Sequence, residues 1–303
     1  MSESLPFFSV VVPTYRRAET LATCLNALAG QVYPRSRFEV VVVEDGGGVP
    51  LQPLLGGFKD RLNLTLISQP HAGPGKARNT GAEHARGELL AFTDDDCAPD
   101  THWLACMAAR FAATPGHLVG GHTANALHHN RCSAASQLLV QYLYEYYNAD
   151  PARPSFFASN NMALPRDAFL DVGGFDAALT RAAGEDRELC DRWRHLGRGL
   201  TYAPEAVVYH YHDLTAWQFC CQHFRYGRAA FYFRQKRVQR GSGHIAIEPL
   251  SFYANLLRYP FAQEGRPGAA VLSALLLLSQ VANAAGFGWE RAMARPQSRS
   301  GSR

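Results

Sequence analysis

The chain has 303 residues, 47% of them hydrophobic and 18% charged, which describes an ordinary globular protein with a sizeable core. A formal net charge of +4 excludes a whole-chain polycation, so no nucleic acid is expected as a partner. Seven cysteines, two of them adjacent (Cys220, Cys221) and none in a C-x-x-C pair, suit neither a disulfide framework nor a zinc knuckle. They predict free thiols in a reducing cytoplasm. Ser9–Val12 is too short for a secretory leader and runs into Pro13, so secretion is not expected.

In chain order, the apolar run Phe8–Val12 predicts a strand, and Leu21, Leu25 and Leu28 then repeat at helical spacing. Phe38–Val43 is a continuous β-branched run of the kind buried on both faces of a parallel sheet. Leu64–Ile67 reads as a strand, Gly75–Arg86 as a helix, and Leu89–Phe92 as a strand running into acidic residues. This alternation predicts an α/β fold with a Rossmann-like, mostly parallel sheet flanked by helices. In such sheets ligands bind beyond the carboxyl ends of the strands.

Further on, Ser136–Tyr147 predicts a helix, Phe156–Leu164 a strand-like segment, Glu185–Leu196 a helix and Ala206–Tyr211 a final strand. Residues 1–213 then form one domain, 214–290 a helical extension, and 291–303 a disordered basic tail rich in Ser, Gly and Pro. Ala269–Trp289 is nearly uncharged and about as long as a spanning helix, though Ser273, Ser279, Gln280 and Asn283 weaken it. A span, a membrane-facing helix and a packed helix all remain open for it. The basic, aromatic stretch Trp217–Arg240 would suit an anionic bilayer surface, and a solvated helix face would look similar.

Polar groups that follow strand ends carry the chemistry. Asp94, Asp95 and Asp96 repel one another, and placing them after a buried strand is costly unless a cation neutralises them. A hard divalent cation takes such oxygens, with substrate phosphates completing its shell. In extended backbone Asp94 and Asp96 share one side and Asp95 points away, so one of the pair can hold metal and the other sugar or ribose hydroxyls. A solvated acidic turn is the plainer alternative. Lys76 and Arg78 offer positive charge to a diphosphate, Arg78 as a fork, although surface helix charges would read the same. Glu44 and Asp45 are candidate acceptors for a base N–H, and Tyr15 for packing on a base or closing the pocket. Glu185 and Asp186 open a helix, where acidic residues also serve the dipole. As a pair they suit acceptor chemistry, with Asp186 the general base and Glu185 binding hydroxyls. His210 and His212 share a side, and either can add a metal ligand.

Together these motifs resemble the family 2 glycosyltransferases over about residues 8 to 240. The opening Val10-Val11-Val12-Pro13-Thr14-Tyr15-Arg16-Arg17 is similar to the family's nucleotide-contacting strand and turn, implying donor contacts by Pro13, Thr14, Tyr15 and Arg17. Val41–Gly47 resembles V-V-D-D-G-S with Glu44 and Gly47 as departures, which favours Asp45 as the base-binding acid. Gly75–Gly81 resembles G-x-x-x-A-R-N-x-G, Phe92–Asp96 the F-L-D-x-D metal and donor motif, and Glu185-Asp186 the E-D motif whose Asp is the base. Asn161–Leu164 with Gly173–Asp176 is similar to the N-M-A-F…G-G-F-D region near the acceptor. Gln222–Tyr226 partly resembles the Q-x-x-R-W sequence of processive synthases, but their several spanning helices have no counterpart here, so single-sugar transfer is expected.

The resemblance implies a GT-A fold, a nucleotide-sugar half at about 1–100 and an acceptor half at about 101–213. It further implies an inverting hexosyltransferase using Mn²⁺ or Mg²⁺ at Asp96 with His212 or His210, and a nucleotide-diphosphate sugar, UDP-linked by preference. Asp94 and Asp95 fall on the donor side of that site. The acceptor is a glycan, a lipid-linked sugar or a small molecule, and the place of action the cytoplasm or the inner face of the cell membrane, with peripheral contact through the C-terminal helices. Two other readings are a non-catalytic module that binds sugar nucleotides or scaffolds at a membrane, and a sugar-phosphate nucleotidyltransferase. The acidic groups speak against the first. Pro13-Thr14-Tyr15, in place of a Gly-rich loop, speaks against the second.

Overall fold

The computed structural model describes residues 5–48, 50–179, 184–243, 247–263 and 268–294. The first part of the chain runs β1 (Phe8–Thr14), α1 (Ala18–Ala29), β2 (Phe38–Asp45), α2 (Gln52–Gly56), β3 (Leu64–Gln69), α3 (Pro74–His84), β4 (Leu89–Phe92), β5 (Cys97–Pro99), α4 (Trp103–Ala113) and β6 (Leu118–Asn125). It continues with α5 (Arg131–Tyr147), β7 (Met162–Pro165), α6 (Arg166–Asp171), α7 (Glu185–His195), β8 (Leu200–His210), α8 (Ala216–Arg240), α9 (Leu250–Ala262) and α10 (Ala269–Met293).

The strands form one eight-stranded sheet in the order β3-β2-β1-β4-β7-β6-β8-β5. β1 to β4 are parallel, β7 is antiparallel to both neighbours, β6 and β8 are parallel, and β5 closes the edge antiparallel to β8. Valines in β1 and β2 alternate between two cores, as the period of two requires. Val10, Val12, Val40 and Val42 pack with Leu21, Leu25 and Leu28 of α1 and with Trp103 and Met107 of α4. Val11, Val41 and Val43 face α3, α6 and α7 through Ala77, Phe169, Leu189 and Trp193. Both faces of the sheet are covered, hence the unbroken apolar runs.

Local differences from the sequence reading have local causes. Of Phe156–Leu164, only Met162–Leu164 lies in a strand; Ser159–Asn161 form a single 3-10 turn. Asn161 explains the break, because its side chain accepts from Trp103 Nε1 (2.8 Å) and donates to the carbonyls of His122 and Ala206 (2.9 Å each). Those bonds pin a register shift between β6 and β8, where Gly121 pairs with Ala203 and His122 with Val207. β8 thereby reaches His210 opposite Cys97 of β5.

Helices α8 to α10 form a third core with α5, in which Leu138 and Tyr142 meet Phe219, Phe252, Leu256, Leu272 and Leu276. α10 extends to Met293, so the expected tail begins later than residue 291; its residues 295–303 lie outside the described ones. By length and composition α10 could cross a membrane, yet Leu272, Leu276, Ser279, Gly286 and Glu290 are buried within the protein.

A cleft with two acidic walls

A cleft of about 980 Å³ opens at the carboxyl ends of β1 and β2 and runs past the loop after β4 to helices α5, α8 and α9. Pro13, Thr14, Tyr15, Arg17, Asp45, Arg78, Asp94, Asp95, Asp96, Glu185, Asp186, His210 and His212 all line it. Residues spread from position 13 to position 212 thus converge at one place. Glu44 and Lys76 do not line it.

The first acidic wall is Asp94–Asp96. These residues are not an extended strand, since Asp95 and Asp96 form a turn between β4 and β5. Asp95 therefore does not point away; it accepts from Thr14 Oγ1 at 2.7 Å and from Arg17 Nη1 at 3.3 Å. Burial, with its like-charged neighbours, pushes Asp95 up to about 6. Arg16 adopts a left-handed φ of 57° just before Arg17, whose Nη1 also lies 2.8 Å from Asp96 Oδ2. The β5–β8 pairing sets His210 Nε2 3.3 Å from Asp96 Oδ1. Burial opposes ionisation of Asp96, but the hydrogen bond and charge of His210, and Arg17 behind them, hold it well below the usual carboxylate range. His212 stacks on His210 at 4.9 Å, and burial and the His210 charge lower it to about 4.

Asp96, Cys97 and His210 offer ligand atoms within 4.8 Å of one another. A carboxylate and an imidazole fit a divalent cation such as Mn²⁺. The Cys97 thiol, buried and pushed well up, stays protonated and is a poor ligand for a hard ion. The residues present fit a metal, and Arg17 supplies the neutralising charge at Asp96.

The second acidic wall is the first turn of α7. Gly184 takes a left-handed φ of 119°, and a Cβ there would come within 3.1 Å of Ala229, so α7 starts tight against α8. Asp186 accepts from the backbone N–H of Arg187 (2.7 Å) and Ser159 (3.4 Å) and is partly open to the cleft. Burial and the neighbouring Glu185 raise it to about 6. Arg78 joins the walls. Its buried guanidinium donates to Glu185 Oε1 at 3.0 Å and Asp94 Oδ1 at 2.5 Å. The guanidinium expected at the diphosphate does line the cleft, and it ties the two acidic walls together.

The β2 end also differs from expectation. Asp45 lines the cleft, but its oxygens accept from Gln69 Nε2 and from the N–H groups of Ala72 and Gly73, with His71 Nδ1 2.9 Å away. Those four partners fill its lone-pair positions and hold the turn into α3. Glu44 accepts from the N–H groups of Gly47 and Gly48, capping its own loop. Lys76 faces Glu83 at 3.7 Å on the outside of α3. The reading missed His71, which stacks on Tyr15 at 4.4 Å to make a flat aromatic wall. It follows β3 closely, so the strand-end rule would have found it.

From the far side α8 contributes Gln222, Arg225 and Tyr226. Several of the basic residues on this helix are paired within the protein. Arg237 pairs with Asp191, Arg240 with Glu188 and Asp191, Lys236 with Asp176 and Arg228 with Glu290, tying α8 to its neighbours.

Known proteins agree with this geometry. The model of glycosyl transferase family 2 matches residues 9–173, and that of glycosyl transferase family group 2 matches residues 92–288. Glycosyltransferase AglE of Haloferax volcanii is 33% identical over 218 residues, covering 69% of this chain and 68% of its own length. The pre-mycofactocin glycosyltransferase of Mycobacterium tuberculosis is 29% identical over 229 residues, 73% of this chain but 46% of its own length. Among solved structures, mannosyltransferase PcManGT from Pyrobaculum calidifontis, in complex with GDP-Man and Mn²⁺, superposes with a TM-score of 0.60 at 21% identity over 96% of this chain and 81% of that one. Staphylococcus aureus TarS 1-349 with UDP-GlcNAc gives 0.54 at 19% identity over 95% and 91%. The shared architecture is GT-A. With its family match, its relatives and its convergent acidic cleft, the chain is a glycosyltransferase and belongs to family 2.

Proposed function

We propose that the protein is an inverting, metal-dependent hexosyltransferase that moves one sugar from a nucleoside-diphosphate donor, UDP-linked by preference, to an acceptor hydroxyl. The observation that carries this reading is that a single cleft joins the Asp96–His210 pair to Asp186. The Tyr15–His71 wall takes the base side of the donor, and Thr14 and Arg17 orient Asp95 and Asp96. Asp94 and Glu185, clamped by Arg78, lie where sugar hydroxyls need acceptors. Asp186 takes the proton of the acceptor hydroxyl as its oxygen bonds to the anomeric carbon. The bond to the diphosphate oxygen breaks on the opposite face, and that oxygen keeps the electron pair, so configuration inverts. A Mn²⁺ or Mg²⁺ ion held by Asp96, His210 and His212 would supply charge stabilisation to the diphosphate.

Residues 1–213 serve as the catalytic domain, 1–100 toward the donor and 101–213 toward the acceptor. All seven cysteines are free, which supports a reducing cytoplasm. The outward side of α10, with Val271, Leu277, Val281 and Trp289 exposed, supports peripheral contact with the inner face of a membrane. The test is Asp186→Asn, assayed by chromatography of the glycoside product with Mn²⁺ and a panel of nucleotide sugars. Transfer should fall at least a thousandfold with donor binding retained. Transfer near the wild-type rate would remove Asp186 from the base role.

A further inference from the structure

We propose that a polar recess of the cleft beside Asp186 holds the ring of the acceptor, and that this acceptor is an uncharged ring polyol met by hydrogen-bond donors on Asn125, Ser136, Asn160 and Tyr226. This rests on the reading of Asp186 as the base on the acceptor side.

The recess, of about 130 Å³, lies between the end of β6, the Ser159–Asn161 turn, α5 and α8. Asp94, Asp186, His210 and His212 line both it and the cleft, so the recess opens at the reacting centre. A cavity of about 150 Å³ admits one benzene, so this space suits one six-membered ring. Among the described residues, only Val140 and Ala158 bring apolar side chains to it. A guest with a single hydroxyl on a hydrocarbon ring would leave most of these walls without partners, which is costly once water is displaced.

The neutral walls are set to donate. Asn125 accepts through Oδ1 from the Leu127 N–H (3.0 Å) and from Ser133 Oγ (2.9 Å), which fixes its amide, and its Nδ2 is buried without a partner. A buried donor left unpaired in a polar recess points to a group that arrives from outside. Asn160 accepts from Thr123 Oγ1 at 3.3 Å and keeps its Nδ2 free among the described residues. Gln222 Nε2 donates to both Ser136 Oγ and the Tyr226 hydroxyl at 3.0 Å, so each hydroxyl keeps its hydrogen for a guest. Burial pushes the Tyr226 phenol up, and that hydrogen stays on it. Opposite these donors, Asp186 is held by two backbone N–H groups and by no ion pair among the described residues. Asp94, by contrast, is paired with Arg78, and His210 with Asp96. A hydroxyl both donates and accepts, so one ring polyol can serve the donors with some oxygens and present another to Asp186. A guest carboxylate would lie near the unpaired Asp186, and a guest ammonium would face the amide and hydroxyl hydrogens.

The experiment uses the full chain with its best nucleotide sugar and Mn²⁺. Initial rates are measured with myo-inositol, the methyl glycosides of glucose, galactose and mannose, methyl glucuronoside, methyl 6-amino-6-deoxyglucoside and cyclohexanol. At least one neutral polyol should show kcat/KM about tenfold or more above cyclohexanol, which keeps the ring but only one hydroxyl, and above both charged glycosides. A best substrate among the glycosides identifies a sugar acceptor, and myo-inositol a cyclitol; either supports the recess. Tyr226→Phe and Ser136→Ala each remove one donor and should raise KM for that polyol about fivefold or more, with the Kd of the nucleotide sugar unchanged in calorimetry. Asn125→Asp keeps the oxygen that holds Leu127 and Ser133, loses the unpaired N–H groups and should raise the same KM; it serves should either of the others fail to melt cooperatively. Cyclohexanol or a charged glycoside as good as every neutral polyol overturns the acceptor class, as does the absence of transfer to any neutral polyol while the donor is still hydrolysed. An unchanged acceptor KM in the variants, or a raised donor Kd in its place, overturns the location. The reading beneath fails separately, through active Asp186→Asn enzyme, whatever the acceptor series shows.

Discussion

As the proposed base, Asp186 would owe its strength to its surroundings, because an exposed aspartate near pKa 4 is a weak base for a sugar hydroxyl. Burial and the Glu185 charge raise it to about 6. The group must be ionised to accept a proton, so kcat/KM should fall about tenfold per unit as pH drops below about 6. Glu185→Gln removes the like charge and should move that acidic limb downward, whatever it does to the plateau. An unmoved limb in the pH–rate profile would mean that another group sets it. On the opposite wall, His210→Ala removes one imidazole from the Asp96 site, and the Mn²⁺ concentration for half activation should rise tenfold or more in a metal titration. At this scale the sequence was readable where a residue follows a buried strand. It did not place Glu44, which accepts from its own loop, or Lys76, which lies on the outside of α3, and it did not show that Arg78, which does line the cleft, holds Asp94 and Glu185 together. Propensity and spacing say that a charge is near the site but not which way its side chain turns.

At the scale of elements, the crossing of α8 and α10 decides how the roof over the cleft is held. A Cβ at Gly227 would stand 1.8 Å from the Asn283 carbonyl oxygen, and one at Gly286 2.0 Å from that of Phe224. Two backbones approach where only glycine fits. Gly227→Ala should therefore destabilise the fold by about 3 kcal/mol in urea titration, since overpacking against backbone leaves nothing soft to yield. Gly288→Ala is the control: the same helix α10 has open space there, and the change should be neutral or stabilising by up to about 1 kcal/mol. Equal effects of the two would mean that the crossing is not tight. The basic run on α8 belongs to the same account. Its composition suggested a membrane surface, whereas its helical spacing presents Arg237 and Arg240 to Asp191 and Glu188 of α7.

For the whole molecule, the consequence of bringing strand ends, α7 and α8 around one cleft is that donor and metal should bind as a unit. Ligands that bind only the native state raise apparent stability, by about 2.7 kcal/mol at a hundred times their Kd. A matching nucleotide sugar with Mn²⁺ should raise the melting temperature more than the sum of either alone, and Asp96→Ala should abolish the synergy in a thermal-shift panel of UDP-, GDP-, dTDP- and CDP-sugars. Additive shifts in the wild type would separate the metal from the donor site.

The sequence alone determined the α/β class, the chain order of β1 to β4 with α1 and α3 between them, and the acidic motifs at both walls, but not α4 or the parallel strand β6. Hydrophobic period and strand-end polarity are local properties, legible in Val40–Val43 or in Leu89–Phe92 followed by Asp94. Only the tertiary structure decided that Asp94–Asp96 form a turn, that Asp96 meets His210, and that Arg78 bridges Asp94 to Glu185. The physical reason is distance along the chain. Asp96 and His210 are brought together by β5 pairing with β8, and that register depends on a shift pinned by Asn161. No local periodicity records which strand lies beside which, so contacts of this kind exist only once the sheet has closed its order.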